Sequence, residues 1–458
     1  MGLASGQFYS ADPEKQTLHK RVRPSDEQIE NQKEYWNDLA DYLKPDLKDR
    51  SGYPVTSWIQ GSYKFATQVR PPNLEEEFDI DLGVYFAWKG DPDDGGLSAT
   101  DLKEMVQDSL SAYANDPDTD ALRVTDPKEF CSRIVVDGSF HIDVPAYHED
   151  GEQRTLASKS DGFVESDPVA IWEWWLSTFE ESERPRARRI VRYLKMWAAL
   201  KFNPKVESRP SSILLTILVA YSYDKVDLTK VSGDDELLEA IVSHMIDILE
   251  ADEKVENPVN PDEDLNRLGD EFPNFMEKLR ALRDISHAAN QAAEAVTASE
   301  KWTEAFGHFF PFPDEQVGKD TVQKAGGAVV TTFTPEIEIT IKLPTGRTYK
   351  SINSAVAVPK GSVLDFDVIN AHAAPANSLI KWVVRNEGQV AEDKNDLGHF
   401  AAFGSSHGGE QADYKGRHFM DVTVIKNGQV VGMRRVPVSI LDNSLRNRSK
   451  RLFKRKAR

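Results

Sequence analysis

The sequence predicts an α+β protein, a mixed sheet with a helical lobe, followed by a separate all-β domain of the Ig-like sandwich kind. Three observations carry that expectation. Residues 54–148 read as strands separated by turns and acidic loops. Residues from about 168 to 310 carry apolar side chains at three- and four-residue steps. Beyond a linker-like stretch at 311–327 the pattern returns to alternation and β-branched runs. A length of 458 residues allows two or three domains, and a mixed part followed by an all-β part divides naturally between them. The expected divisions are residues 1–318, 327–442 as a β-sandwich, and 443–458 as a basic tail. The first would hold an N-terminal helix, a sheet to about residue 150 and a helical lobe at about 165–310.

Taken in order, residues 25–44 open on a Ser-Asp cap, and Ile29, Tyr35, Leu39 and Leu43 form one helical stripe. The strand region follows. The helical lobe includes IWEWWLSTF, ARRIVRYLKMWAALKF, SSILLTILVAY, DDELLEAIVSHMIDILEAD and FMEKLRALRDISHAANQAAEAV, all with helical apolar spacing. In the last region EIEITIKL, VLDFDVINA, LIKWVVRN, HFMDVTVIK and VVGMRRVPVSI read as strands, with turns at Pro344-Thr345-Gly346 and Asn427-Gly428.

Composition narrows the classes. The chain is 40% hydrophobic and 29% charged, has no tract long enough to span a bilayer, and begins without a secretory signal pattern, so a cytoplasmic protein with no membrane partner is expected. Cys131 is the single cysteine, which excludes an intrachain disulfide and a cysteine zinc site. A net charge of −19 argues against electrostatic coating of nucleic acid. The fifteen residues Ser444–Arg458 nevertheless hold eight Lys or Arg and no acid. That tail can bind an acidic partner or simply be a solvated end.

The chemistry concentrates in IQGSYKFATQVRPPNLEEEFDIDLGVYF and SFHIDVPAY. On a strand over 78–86, Phe78, Ile80, Leu82, Val84 and Phe86 face one way and Asp79 and Asp81 the other. The two carboxylates then sit roughly 7 Å apart along the chain. In the second segment Phe140, Ile142 and Val144 alternate with His141 and Asp143. If the strands are neighbours, Asp143 completes a three-carboxylate cluster. Such a cluster is costly without a cation, and Mg2+ takes carboxylate and phosphate oxygens. Two Mg2+ ions, with Mn2+ as the alternative, would suit displacement at an α-phosphate. Asp79 and Asp81 would bridge both, and Asp143 would orient an attacking 3′-hydroxyl. Gly61 and Ser62 precede Asp79 by eighteen and seventeen residues and open a short run suited to phosphate oxygens. An isolated D-x-D is more often a solvated strand face; the second strand and the Gly-Ser turn weigh against that here. Arg188, Arg192 and Lys195 form a basic stripe at i, i+4 and i+7, either a solvated helix face or a surface for a polyanion.

The order G-S-Y, D-I-D, then h-I-D-V-P resembles the DNA polymerase β-like nucleotidyltransferases, and more narrowly the bacterial cGAS/DncV-like enzymes (CD-NTases). IVRYLKMWAALKF followed by RPSSILLTILVAY is similar to that family's L-K-x-W segment and Pro-Ser-Ser turn. The resemblance covers roughly residues 25–310. It implies a polymerase β-like core and synthesis of a cyclic di- or trinucleotide signal in anti-phage defence. The substrates would be ATP, with GTP or other nucleoside triphosphates. Pyrophosphate would leave, and a downstream effector would read the product. By the same resemblance Gly61 and Ser62 contact phosphates, Asp79, Asp81 and Asp143 hold metal, Lys195 reaches the triphosphate, and Ser212, or less favourably Ser211, contacts phosphate or base. LIKWVVRNEG and DYKGRHFMDVTV resemble the C-terminal sensor domain attached to such synthases, implying a ligand or partner there. Trp382, Asn386, Tyr414 and His418 could line a pocket, with Trp382 equally suited to the core. The competing readings are a linear oligoadenylate synthase, transfer to RNA or protein, and a catalytically silent nucleotide-binding sensor.

Overall fold

A computed structural model describes residues 2–72, 76–117, 119, 121–136, 140–203, 205–313 and 333–441. The basic tail lies outside the described residues, as does the linker-like stretch from residue 314 onward. Contacts divide the chain into two compact units: Val22–Val226 with Ile241–Glu277, and Met1–Arg21 with Asp227–Ala240 and Lys278–Arg458. Residues 278–310, which their periodicity groups with the helical lobe, therefore cluster with the β region. Among the described residues no helix is long and apolar enough to cross a membrane.

Two short helices, α1 (Ser5–Phe8) and α2 (Leu18–Val22), precede α3 (Asp26–Ser51). The Ser25 side chain accepts from the Gln28 amide and Gln28 answers with a bond to the Ser25 amide, a reciprocal cap. The helix runs past the expected end at residue 44. It continues through Pro45 because Leu47 extends the buried stripe, and it stops at Gly52, whose φ of 75° only glycine adopts readily.

The sheet of this unit has eight strands: β1 (Val55–Gln60), which the one-turn helix α4 (Gly61–Lys64) follows in the chain, β2 (Phe78–Ala87), β3 (Ala121–Val124), β4 (Ser132–Val136), β5 (Phe140–Val144), β6 (Ala146–Asp150), β7 (Gln153–Ala157) and β8 (Phe163–Glu165). Their order is β3-β4-β5-β2-β6-β7-β8, with β1 antiparallel to β2. Strands β5 and β6 both run parallel to β2, the first along Phe78–Asp81 and the second along Val84–Ala87, with Pro145 between them. One face of β2 is packed: Ile80, Leu82, Val84 and Phe86 are fully buried against Leu39, Leu43 and Leu47 of α3 and against Leu102, Val106 and Leu110 of α5 (Ala99–Ala114). Each such side chain contributes about 1.5–3 kcal/mol. A one-residue slip would send Asp79 and Asp81 into that core, so burial fixes which face the carboxylates occupy.

Three helices of the lobe complete the picture needed for the site: α6 (Pro168–Thr178), α7 (Arg184–Lys201) and α8 (Ser212–Tyr223). Ala187, Ile190, Val191, Leu194 and Trp197 of α7 are buried, the stripe that its sequence shows.

In the other unit, the C-terminal region forms a four-stranded and a five-stranded sheet. Ile337, Ile339, Ile341, Leu364 and Phe366 from the first share one core with Trp382, Met420, Val422, Val424, Val436 and Val438 from the second. Two sheets over one core make a sandwich. Trp382 is wholly buried and donates to the Gly404 carbonyl at 2.8 Å, so it belongs to the core. Asn386, Tyr414 and His418 line a cavity of about 390 Å3 and are joined to one another by hydrogen bonds at Asn386. His399 and His407 each bond Glu410 through Nε2.

Candidate active site

Parallel pairing of β2 with β5 sets Asp79 beside His141 and Asp81 beside Asp143. The neighbour relation that a three-carboxylate site requires is present. The side chains then arrange themselves around two anchors. His141 lies between carboxylates, with Nε2 2.8 Å from Asp79 Oδ1 and Nδ1 3.0 Å from Glu77 Oε2. Burial opposes its protonation, but these two acids outweigh that and raise its pKa above the ordinary histidine value. Asp143 takes a fork from Arg133 of β4, Nε at 2.5 Å and Nη2 at 2.8 Å, and an ammonium from Lys128 at 3.1 Å. Burial alone would raise its pKa; the two cations reverse the sign and hold it below the usual carboxylate range. Arg133 also reaches within 3.9 Å of Asp79.

One ligand atom from each of Asp79, His141 and Asp143 falls within a 4.8 Å group, a spacing that can hold a metal ion. Asp81 is not in that compact group, whose third place His141 takes. Asp81 lies against Gly61 instead. A Cβ placed on Gly61 would stand 1.8 Å from Asp81 Oδ2, and Gly61 has φ 59°. Both the space and the backbone conformation therefore demand glycine. Asp81 still belongs to the cluster electrically. Burial, then the charges of Asp79 and Asp143, push its carboxyl up to about 8, with Lys195 and His141 only partly offsetting them. Excess negative charge on hard oxygen donors fits a divalent cation such as Mg2+. The imidazole of His141 fits it less well.

Beside this face is a cavity of about 250 Å3 lined by Ser62, Asp79, Lys195, Arg209 and Ser212, among others. Four positions singled out in the sequence, from four separate segments, thus meet at one opening. Lys195 is buried and its ammonium donates to the Thr67 carbonyl at 3.1 Å. Burial, together with Arg192, lowers its pKa to about 8 despite the pull of Asp79 and Asp81. Arg192 donates to the Ala66 carbonyl, so this part of the basic stripe is turned onto the loop after Gly61 rather than solvated. Ser211 is placed differently from Ser212: its hydroxyl accepts from the Leu214 amide at 3.2 Å and caps α8.

Sequence reasoning missed Arg133, Lys128, Glu77 and Arg209. Arg133 had a signal, because alternation in SRIVV puts it on the face opposite Ile134, and it pairs with Asp143 in register. Lys128, in the turn before β4, had none.

Residues 55–147 match the family described as "Cyclic GMP-AMP synthase DncV-like, nucleotidyltransferase domain", and residues 327–441 match "Adenylyl/Guanylyl and SMODS C-terminal sensor domain". A cyclic GMP-AMP synthase of Escherichia albertii is 26% identical over 436 residues, covering 94% of this chain and 95% of that protein. A c-di-GMP synthase of Roseivirga ehrenbergii is 24% identical over 258 residues, 50% of this chain and 64% of its own. The structure of Vibrio cholerae DncV in its GTP-bound form has a TM-score of 0.56 at 21% identity, covering 68% of this chain and 97% of that one. The same enzyme with the linear intermediate 5′ pppA(3′,5′)pG gives 0.55 at 20% identity, with 68% and 97% covered. These likenesses establish the fold. Fold, site and family matches together define the chain as an enzyme, a nucleotidyltransferase. More narrowly, the match within residues 55–147 is to the DncV-like nucleotidyltransferase domain, and that within residues 327–441 is to the adenylyl/guanylyl and SMODS sensor domain.

Proposed function

We propose that the protein joins nucleoside triphosphates, ATP with GTP among them, into a cyclic di- or trinucleotide, releasing pyrophosphate at each transfer. The observation that carries this reading is the meeting of Asp79, Asp81 and Asp143 beside the cavity of Ser62, Lys195 and Ser212. Its relatives named cyclic GMP-AMP synthase and c-di-GMP synthase support cyclisation as the outcome. Gly61 lets the backbone approach the carboxylates. Ser62, Lys195 and Ser212 receive the triphosphate, whose charge draws the Lys195 proton affinity back up. Asp79, Asp81 and Asp143 hold two Mg2+ ions, or Mn2+ in their place, and Asp143 orients the attacking hydroxyl. The ions, when bound, neutralise the α-phosphate and the departing pyrophosphate. We assign this catalysis to residues 1–318 and a regulatory role to 327–442, with the product read by a downstream effector in anti-phage defence inside the cytoplasm.

The test is to incubate the protein with labelled triphosphates and Mg2+ without an acceptor, then treat with phosphatase. Resistant products whose masses match rings support cyclisation. Phosphatase-sensitive chains would point to linear synthesis. Asp79→Ala with Asp81→Ala should abolish pyrophosphate release, and unchanged release would sink the site assignment.

A further inference from the structure

The unit that contains the β-sandwich has an open cavity of about 770 Å3, lined by the N-terminal segment, Pro311–Pro313 and the five-stranded sheet. That volume lies within the range of about 300–1,000 Å3 typical of small-molecule sites. Its charge is opposite in sign to the net charge of the chain. Five cations, Lys15, Arg21, Arg385, Arg417 and Arg435, line it against two acids, Glu14 and Glu387, in a protein whose net charge is −19.

Asp421 lies behind the lining and binds Arg385 Nε at 2.7 Å and Arg435 Nε at 2.8 Å, which still leaves the cations in excess. The partners of the deepest arginines are largely neutral. Arg21 is 3% exposed; its Nη2 donates to the carbonyls of Leu397 at 2.6 Å and His308 at 3.3 Å, and its Nε has no acceptor among the described residues. Arg385 Nη1 donates to the carbonyls of His308 and Phe310. Carbonyls satisfy hydrogen-bond donors but cancel no charge. The surplus is felt nearby: burial and then Arg385 and Arg435 bring Arg21 down to about 9, and burial with Arg21 and Arg385 holds His308 well below the ordinary histidine value. Phe312 and Phe419 supply flat apolar walls, with the Arg435 guanidinium 4.9 Å and 4.4 Å from their centroids.

We propose that this cavity binds a phosphate-bearing metabolite of nucleotide size, its phosphates answering the arginines and its apolar part lying along Phe312. Guanidinium groups in a partly desolvated setting are strong phosphate partners. Lys15 and Arg417 are exposed, so they meet an incoming anion first. The site is separate from the catalytic cavity in residues and in chemistry, since it needs no divalent ion.

Calorimetric titration of the full-length protein in EDTA tests this, with ATP, cyclic GMP-AMP and inorganic tripolyphosphate as three separate probes. We expect saturable binding of at least one probe, weakened tenfold or more in K15E/R417E and retained in D79A/D81A. The preferred probe identifies the source: substrate pool, product, or phosphate alone. Should K15E/R417E melt below the parent, K15Q/R417Q replaces it. Absence of binding by all three probes, or equal affinity in the rim variant, overturns the proposal.

Discussion

At the scale of single residues, the site depends on what is missing at position 61. Gly61→Ala places a methyl group where Asp81 Oδ2 now lies and forces φ 59° on a residue that resists it. The carboxylate must move by an ångström or more, and misplacement of that size costs on the order of 100-fold in rate. Pyrophosphate release should fall accordingly, and the melting temperature should drop by the few degrees that about 1–2 kcal/mol of left-handed strain costs. Alternation in FDIDLGVYF and FHIDV was enough to read Asp79, Asp81 and Asp143 as facing one side. It could not show that Asp81 turns toward Gly61 while His141 joins Asp79 and Asp143. Period two fixes the face of a side chain, whereas its rotamer answers to neighbours brought in by folding. Lys128 was illegible for the same reason, since a turn residue has no periodicity to betray its target.

Among the elements, α8 places its first two serines differently. Ser211 caps the helix and Ser212 lines the cavity. Ser211→Ala should therefore lower stability by about 1 kcal/mol and leave KM for triphosphate near its starting value. Ser212→Ala should raise KM with an unchanged unfolding midpoint. Denaturant melts and steady-state kinetics on the same two variants decide the matter, and exchanged behaviour would reverse the assignment. The helices and strands themselves were readable from sequence because their buried faces are continuous, as in Ile80, Leu82, Val84 and Phe86 on β2. The end of α3 was not. Its expected end lies at residue 44, yet burial of Leu47 carries the helix through Pro45 to Ser51.

For the whole molecule, the change of period after residue 310 marked where the β region begins, but not which helices pack with it. Residues 278–310 have the spacing of the lobe and the contacts of the other unit: Lys381 pairs with Glu300 at 2.5 Å, and Arg385 binds the carbonyls of His308 and Phe310. Amphipathic spacing shows that a helix buries a face without naming what covers it. The His308 turn gives this unit a defined acid limit. Burial, Arg21, Arg385 and His399 keep the imidazole neutral, so its folded pKa lies below its unfolded value. Stability from that group is present above about pH 6.5 and is lost as pH falls through the depressed folded value. Thermal melts at pH 7.5 and 5.5 should show a smaller drop for His308→Gln than for the parent; an equal drop would remove His308 as the cause.

The fork of Arg133 and the ammonium of Lys128 on Asp143 bear on how the enzyme is loaded. Two single positive charges already stand where one doubly charged ion would come. Exchange of that pair for such an ion would conserve the positive charge facing Asp143. Released from Asp143, Arg133 and Lys128 would be two cations in want of another anion.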